Sequence, residues 1–138
     1  MNLLVTYKGL DIAISTMLER LSYRPNNKVY IAVSEEDKAI VKGKCVPIII
    51  PPIRSKVNWE VIKILRKAIK EHQIQIMYSH STSGLSNSLL ASIGTKVKNV
   101  GYRGTQAKIN KFDFTYYLGL LNPRVDHIFC LTEDIKEY

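Results

Sequence analysis

Residues 74–94 read IQIMYSHSTSGLSNSLLASIG, and the order of residue types within them decides the fold. An apolar run of strand type over 74–78 breaks into the small polar residues Ser79, Ser81, Thr82, Ser83 and Gly84, with His80 among them. Leu85, Leu89, Leu90 and Ile93 follow at near-helical spacing, and Gly94 stands where a helix C-cap would. Thr82 or Ser83 is the expected N-cap, which leaves unpaired backbone N–H groups facing the loop. Strand, polar loop and helix N-terminus in that order make a receptor for an anion or a polyol hydroxyl, with His80 at its lip. The same residues also describe an ordinary βα turn whose serines only cap the helix.

Upstream, the pattern repeats. A helix is expected over 58–72, with Val61, Ile62, Leu65, Ala68 and Ile69 on its apolar face and Lys63, Arg66, Lys67 and Lys70 on the other. Residues 45–50 read as a strand ended by Pro51 and Pro52. Pro47 inside it cannot donate to a ladder and so marks a sheet edge. Residues 2–6 and 29–33 are the first two strands. Between them Asp11 caps a helix bearing Ile14, Met17, Leu18 and Leu21, and Pro25-Asn26-Asn27 forms a turn. The polar run 34–38 suits a short helix.

Downstream, residues 99–102 form a fifth strand leading into Arg103, Gly104 and Thr105. A helix with Tyr116, Tyr117, Leu120 and Leu121 precedes Asn122-Pro123-Arg124, and residues 127–131 form a sixth strand. Such alternation implies an α/β domain with a doubly wound parallel sheet and helices on both faces. The expected strand order is 3-2-1-4-5-6, with the third strand at an edge as Pro47 requires. Ligands then bind where the first and fourth strands diverge. The loops meeting there are 7–10, with Lys8 and Gly9, and 79–84, with residues 102–106 alongside.

The 138 residues suffice for one domain with a proper core. A hydrophobic fraction of 46% and a charged fraction of 23% exclude a disordered chain. No apolar run approaches the ~18 residues of a membrane span, and the first residues lack a signal-peptide pattern, so the cytoplasm is the expected compartment. The net charge of +8 favours an anionic partner: nucleic acid, anionic lipid or a phosphorylated substrate. Two cysteines, Cys45 and Cys130, read as buried free thiols and support no metal site.

Several chemistries are poorly supported. The glycine-rich dinucleotide and P-loop motifs are absent, and so is the G-x-S-x-G elbow that would give His80 a nucleophilic serine partner. What remains is a polyol-friendly pocket of His80, several hydroxyls and the cations Lys8 and Arg103.

The runs YSHSTSGLSNSLLASIG (78–94), VGYRGT (100–105) and LLNPRVDHIFCLTEDIKEY (120–138), in that order and spacing, resemble the N-terminal half of a family 4 glycosyltransferase of GT-B fold. In that family the fourth strand ends in a histidine at the interdomain cleft, matched by His80. The fifth strand ends like Tyr102-Arg103-Gly104-Thr105, and the sixth precedes a hydroxyl and an acidic residue, matched by Thr132-Glu133. The resemblance is strong from about residue 78 and only topological before it. It implies a Rossmann-like acceptor-side domain and retaining transfer from a nucleotide-sugar to a glycan or lipid-linked acceptor in cell-surface polysaccharide synthesis. No metal or other cofactor is implied. His80 would carry the catalytic contact, with Lys8, Gly9, Ser81, Thr82, Gly84, Arg103 and Gly104 lining the cleft.

Two features depart from the family. The first βα loop offers one glycine, Gly9, where many members carry a pair. The second Rossmann-like domain, which grips the nucleotide-sugar, has no counterpart here, so the expectation is a truncated product or one half of a split enzyme. Peripheral contact with an anionic inner membrane face is a further expectation, from the cations of the 58–72 helix. The alternative is a non-catalytic basic module for a phosphorylated ligand or nucleic acid. Nucleic acid is disfavoured, because aromatic and basic residues interleave only at Tyr102-Arg103.

Overall fold

Short runs of aliphatic and β-branched residues build the sheet, and period-two alternation divides them between its faces. The computed structural model describes residues 1–6, 12–103 and 122–130, with Ile12, Arg103 and Cys130 described by backbone alone. The strands are β1 (Asn2–Thr6), β2 (Lys28–Val33), β3 (Val46–Ile49), β4 (Ile76–Ser79), β5 (Lys98–Arg103) and β6 (Val125–Cys130). The helices are α1 (Ile12–Ser22), α2 (Trp59–Glu71) and α3 (Thr82–Ala91), with a 3-10 turn over Glu35–Ile40. All pairings are parallel, in the order β3-β2-β1-β4-β5-β6. This is the Rossmann-like α/β arrangement that the alternation implied, with the Pro47 strand at one edge.

Alternation sorts the core into two layers. Leu4, Tyr30, Ala32 and Met77 point to the face covered by α2, where Val61, Ile62, Leu65, Ala68 and Ile69 are all buried. Leu3, Val5, Val29, Ile31, Val33 and Tyr78 point to the α1 face and meet Leu18. Each such side chain contributes roughly 1.5–3 kcal/mol when fully buried. Met17, expected on the buried stripe of α1, is instead 43% exposed. One stripe of an eleven-residue helix suffices for that face of the sheet, and Leu18 fills it.

Boundaries shift for identifiable reasons. The N-cap of α3 is Ser81 rather than Thr82 or Ser83, since its Oγ accepts from the Gly84 N–H at 3.0 Å. At the other end Ser92 is the C-cap, with Gly94 two residues beyond at φ 77° and Ile93 left 49% exposed. Gln73 closes α2 at φ 51°, and the Ile74 N–H bonds the Ile69 carbonyl at 3.1 Å, a Schellman arrangement. Strand β6 starts two residues earlier than the sequence suggested. Asp126 accepts from the Asn99 N–H at 2.8 Å across a register shift beside Asn99 and Val100, which carries the pairing back to Val125. Arg124 then bonds the Leu89 and Ser92 carbonyls at 3.0 and 2.9 Å, tying β6 to the end of α3.

Asp11, the helix expected around Tyr116 and Tyr117, and Thr132 with Glu133 lie outside the described residues. No described helix is long and apolar enough to cross a membrane.

Cys45 sits just before β3, buried, with its Sγ 3.6 Å from the Leu18 carbonyl. Burial pushes its thiol above the ordinary cysteine range, so the reactive thiolate is scarce at neutral pH. Cys130 ends β6 at the opposite edge. Five inter-strand steps of about 4.8 Å separate the edges by roughly 24 Å, whereas bridged Cα atoms lie within ~7 Å. Oxidised, non-reduced protein is therefore expected to show no intramolecular Cys45–Cys130 bridge by peptide mass mapping. Finding one would overturn the strand order.

Candidate functional site

Strand β4 delivers its last residues to opposite sides. The Ser79 side chain turns inward, buried, and its Oγ donates to Ser88 Oγ of α3 at 3.0 Å. Tyr78 and His80, two residues apart, project together on the α1 face. The Tyr78 hydroxyl lies 3.3 Å from His80 Nδ1. When that hydroxyl donates, the neutral imidazole carries its proton on Nε2. In the β4–β5 register Ser79 stands opposite Gly101, so the next pair along is His80 and Tyr102. Their rings stack at 4.3 Å between centroids and 16° between planes. Phe129 of β6 closes on the Tyr78 ring edge-on at 6.2 Å. His80 is therefore oriented by two tyrosines while remaining half-exposed.

The chain then enters α3. Ser81 is spent on its cap, and the Gly84 N–H is spent on Ser81. The N–H groups of Thr82 and Ser83 have no partner among the described residues, and both residues are half-exposed. The first turn of α3 holds no acidic side chain, whereas that of α2 carries Glu60. The partial positive charge of the α3 N-terminus is thus uncompensated by its own helix. Two N–H donors, two hydroxyls and an oriented imidazole are groups of the kind that can bond phosphate oxygens or sugar hydroxyls.

Gly84 permits the approach that makes this turn. A Cβ there would stand 2.7 Å from Thr6 Oγ1 and 3.0 Å from Ser81 Oγ. Only a glycine lets the first turn of α3 settle on the end of β1, which adjoins β4 at the switch point. Thr6 is completely buried beneath it, and its hydroxyl has no hydrogen-bond partner among the described residues.

Of the residues singled out in the sequence, His80, Ser81, Thr82 and Gly84 come together in this turn. Ser81 and Gly84 build it, while His80 and Thr82 are half-exposed beside them. Arg103 ends β5, one residue beyond Tyr102, and is described by its backbone alone. Lys8, Gly9 and Gly104 lie outside the described residues. Tyr102, expected beside these loops, does meet His80, whereas Tyr78 and Asn87 belong to the site without having been singled out. The sequence signal for the two tyrosines is the i, i+2 spacing of Tyr78 from His80 and the cross-strand position of Tyr102 in the β4–β5 register. Among the described residues no group of three His, Cys, Asp or Glu side chains could hold a metal ion.

Fold and turn together define a Rossmann-like α/β protein with a polar, half-exposed βα turn at its switch point. No protein-family model matches the chain, and no curated protein does.

Proposed function

We propose that this chain is the acceptor-binding half of a retaining glycosyltransferase. It would act with a second Rossmann-like domain that holds a nucleotide-sugar, and the sugar would pass to a hydroxyl of a glycan or lipid-linked acceptor. The observation that carries this reading is His80, oriented by Tyr78 and Tyr102 beside the Thr82 and Ser83 N–H groups, which have no partner among the described residues. A transferase of this class must stabilise an oxocarbenium-like sugar while negative charge collects on the departing phosphate. Fixed dipoles that need no rearrangement suit that task, and a helix N-terminus beside an oriented imidazole supplies them. His80 donates to a hydroxyl of the transferring sugar, and the α3 N–H groups receive phosphate or hydroxyl oxygens. Arg103, at the end of β5, is the cation for an anionic acceptor. Cell-surface polysaccharide synthesis on the cytoplasmic side of a membrane is the setting that fits a lipid-linked acceptor.

The test is transfer itself. A single Rossmann-like wall binds acceptor weakly and cannot hold the nucleotide, so the chain alone is expected to show no turnover on a glycolipid acceptor. Supplied with a nucleotide-binding partner domain in cis or in trans, it is expected to transfer. Turnover by the chain alone would refute the half-enzyme reading. Failure with every partner domain, combined with tight binding of a phosphorylated ligand, would favour a basic binding module instead.

A further inference from the structure

The outer face of α2 carries a feature that the transferase reading does not use. Trp59, the first residue of the helix and the sole tryptophan in the chain, is 67% exposed. At 100° per residue, Trp59, Lys63, Arg66, Lys67 and Lys70 share roughly 100° of arc and run for about 16 Å along the helix. All four cations are exposed. The two acidic residues of the helix, Glu60 and Glu71, fall at or beyond the margin of that stripe. Lys67 meets Glu71 at 3.6 Å there, while Lys63 and Lys70 have no ion-pair partner among the described residues. Apolar surface continues to either side. Val57 precedes the helix and is 37% exposed, and Arg66 bonds the carbonyl of Ile93, itself 49% exposed.

From this stripe we infer that α2 docks flat on an anionic phospholipid surface, with Trp59 inserted at the headgroup boundary. A solvated helix face gains nothing from an exposed tryptophan, whereas the membrane interface favours its amphipathic ring. Four cations, of which only Lys67 meets an acid among the described residues, complement anionic headgroups, and lysine and arginine stems bury against lipid while their charges stay wet. Charge and wedge together give the two signals that peripheral attachment needs. A lone aromatic on a straight row of cations lacks the repeated stacking platforms that single-stranded nucleic acid uses.

Docking also aims the candidate site. Asn87 of α3 bonds Ser55 and Asn58 just before Trp59, and Ser83 in the turn described above. The helix end that carries Trp59 is therefore fastened to the α3 N-terminus, and insertion of Trp59 brings residues 80–83 close to the bilayer surface. Membrane docking stands apart from the transferase reading, because vesicle binding and sugar transfer are read separately.

Trp59 serves as its own reporter. On adding phosphatidylcholine vesicles that contain phosphatidylglycerol, its emission is expected to shift to the blue and to be quenched by brominated lipid. Pure phosphatidylcholine should give little of either. In co-sedimentation, Trp59→Ala is expected to weaken binding about tenfold, and Lys63→Glu with Lys70→Glu by more than tenfold. These positions are exposed, so the variants should keep the parent melting temperature. Unchanged emission with anionic vesicles would overturn the inference, as would equal affinity for neutral ones or undiminished binding by Trp59→Ala. So would a blue shift that needs only higher protein concentration, or one that single-stranded DNA reproduces. Those outcomes would assign the face to a second copy of the chain or to nucleic acid.

Discussion

Replacing Asn87 with alanine is expected to destabilise the protein by about 2–4 kcal/mol and to loosen the start of α2 before any strand. Asn87 is fully buried, and its amide is satisfied at both ends. Its Oδ1 accepts from the Asn58 N–H at 2.8 Å, and its Nδ2 donates to the Ser55 and Ser83 carbonyls at 3.0 and 2.8 Å. Truncation removes three hydrogen bonds, each contributing roughly 0.5–1.5 kcal/mol, and the groups freed on exposed Ser55 and half-exposed Asn58 turn to water instead. The Ser83 carbonyl is less exposed to loss, since it belongs to the first turn of α3. Against a total stability of about 5–15 kcal/mol, the loss is severe. Asn58 also caps α2 through its own side chain, which accepts from the Glu60 and Val61 N–H groups at 3.1 and 3.3 Å. Freeing its backbone therefore frees the cap. Urea unfolding should show a lower midpoint, and amide exchange should quicken first at residues 58–62. Asn87→Asp should rescue little, because a carboxylate accepts from Asn58 but offers nothing to the two carbonyls. A loss below ~1 kcal/mol would mean that water replaces the amide and that the loop is not clamped as described.

His80→Ala is expected to lower the rate of sugar transfer about a hundredfold once a donor domain is present, with little change in acceptor KM. The split follows from the role proposed. A contact made chiefly as charge develops on the sugar is missing from the ground state, so its removal appears in kcat. A scaffolding histidine would behave differently. The side chain is half-exposed and stacked on Tyr102, so a structural role would appear in the melting temperature and leave turnover intact. Tyr102→Leu and Tyr78→Phe separate orientation from contact. The first removes the stacking partner, and the second removes the hydroxyl that faces Nδ1. Both should reduce transfer less than His80→Ala does. An unchanged rate in His80→Ala, measured on the reconstituted pair, would return the residue to scaffolding.

The sheet and its strand order were legible along the chain because burial on both faces writes itself into each strand. Continuous aliphatic runs such as VYIAV at 29–33, each followed by a polar break and a helix-period segment, leave few ways to close a parallel sheet. Pro47 marked an edge because it lacks an N–H, and β3 is an edge strand. The polar turn after β4 was equally visible, since small polar residues between an apolar strand and a leucine-bearing helix have few other uses. The row of cations on α2 was legible from helical periodicity.

What only the tertiary structure decided concerns contacts between elements. Which serine caps α3 depends on a backbone direction that composition leaves open, and Ser81 takes the place because its Oγ reaches the Gly84 N–H. Gly84 read as a loop glycine, yet its constraint is the Thr6 hydroxyl 2.7 Å from where a Cβ would stand, a contact across 78 positions of chain. Tyr102 meets His80 through the β4–β5 register, and Trp59 joins the cation stripe because α2 buries its opposite side. Asn87 looked like one more polar residue in a serine-rich helix. The periodicities of 2 and 3.6 record which side of its own element a residue faces. They hold no information on the partner it meets there, because register and approach are set by packing between segments that the chain keeps far apart.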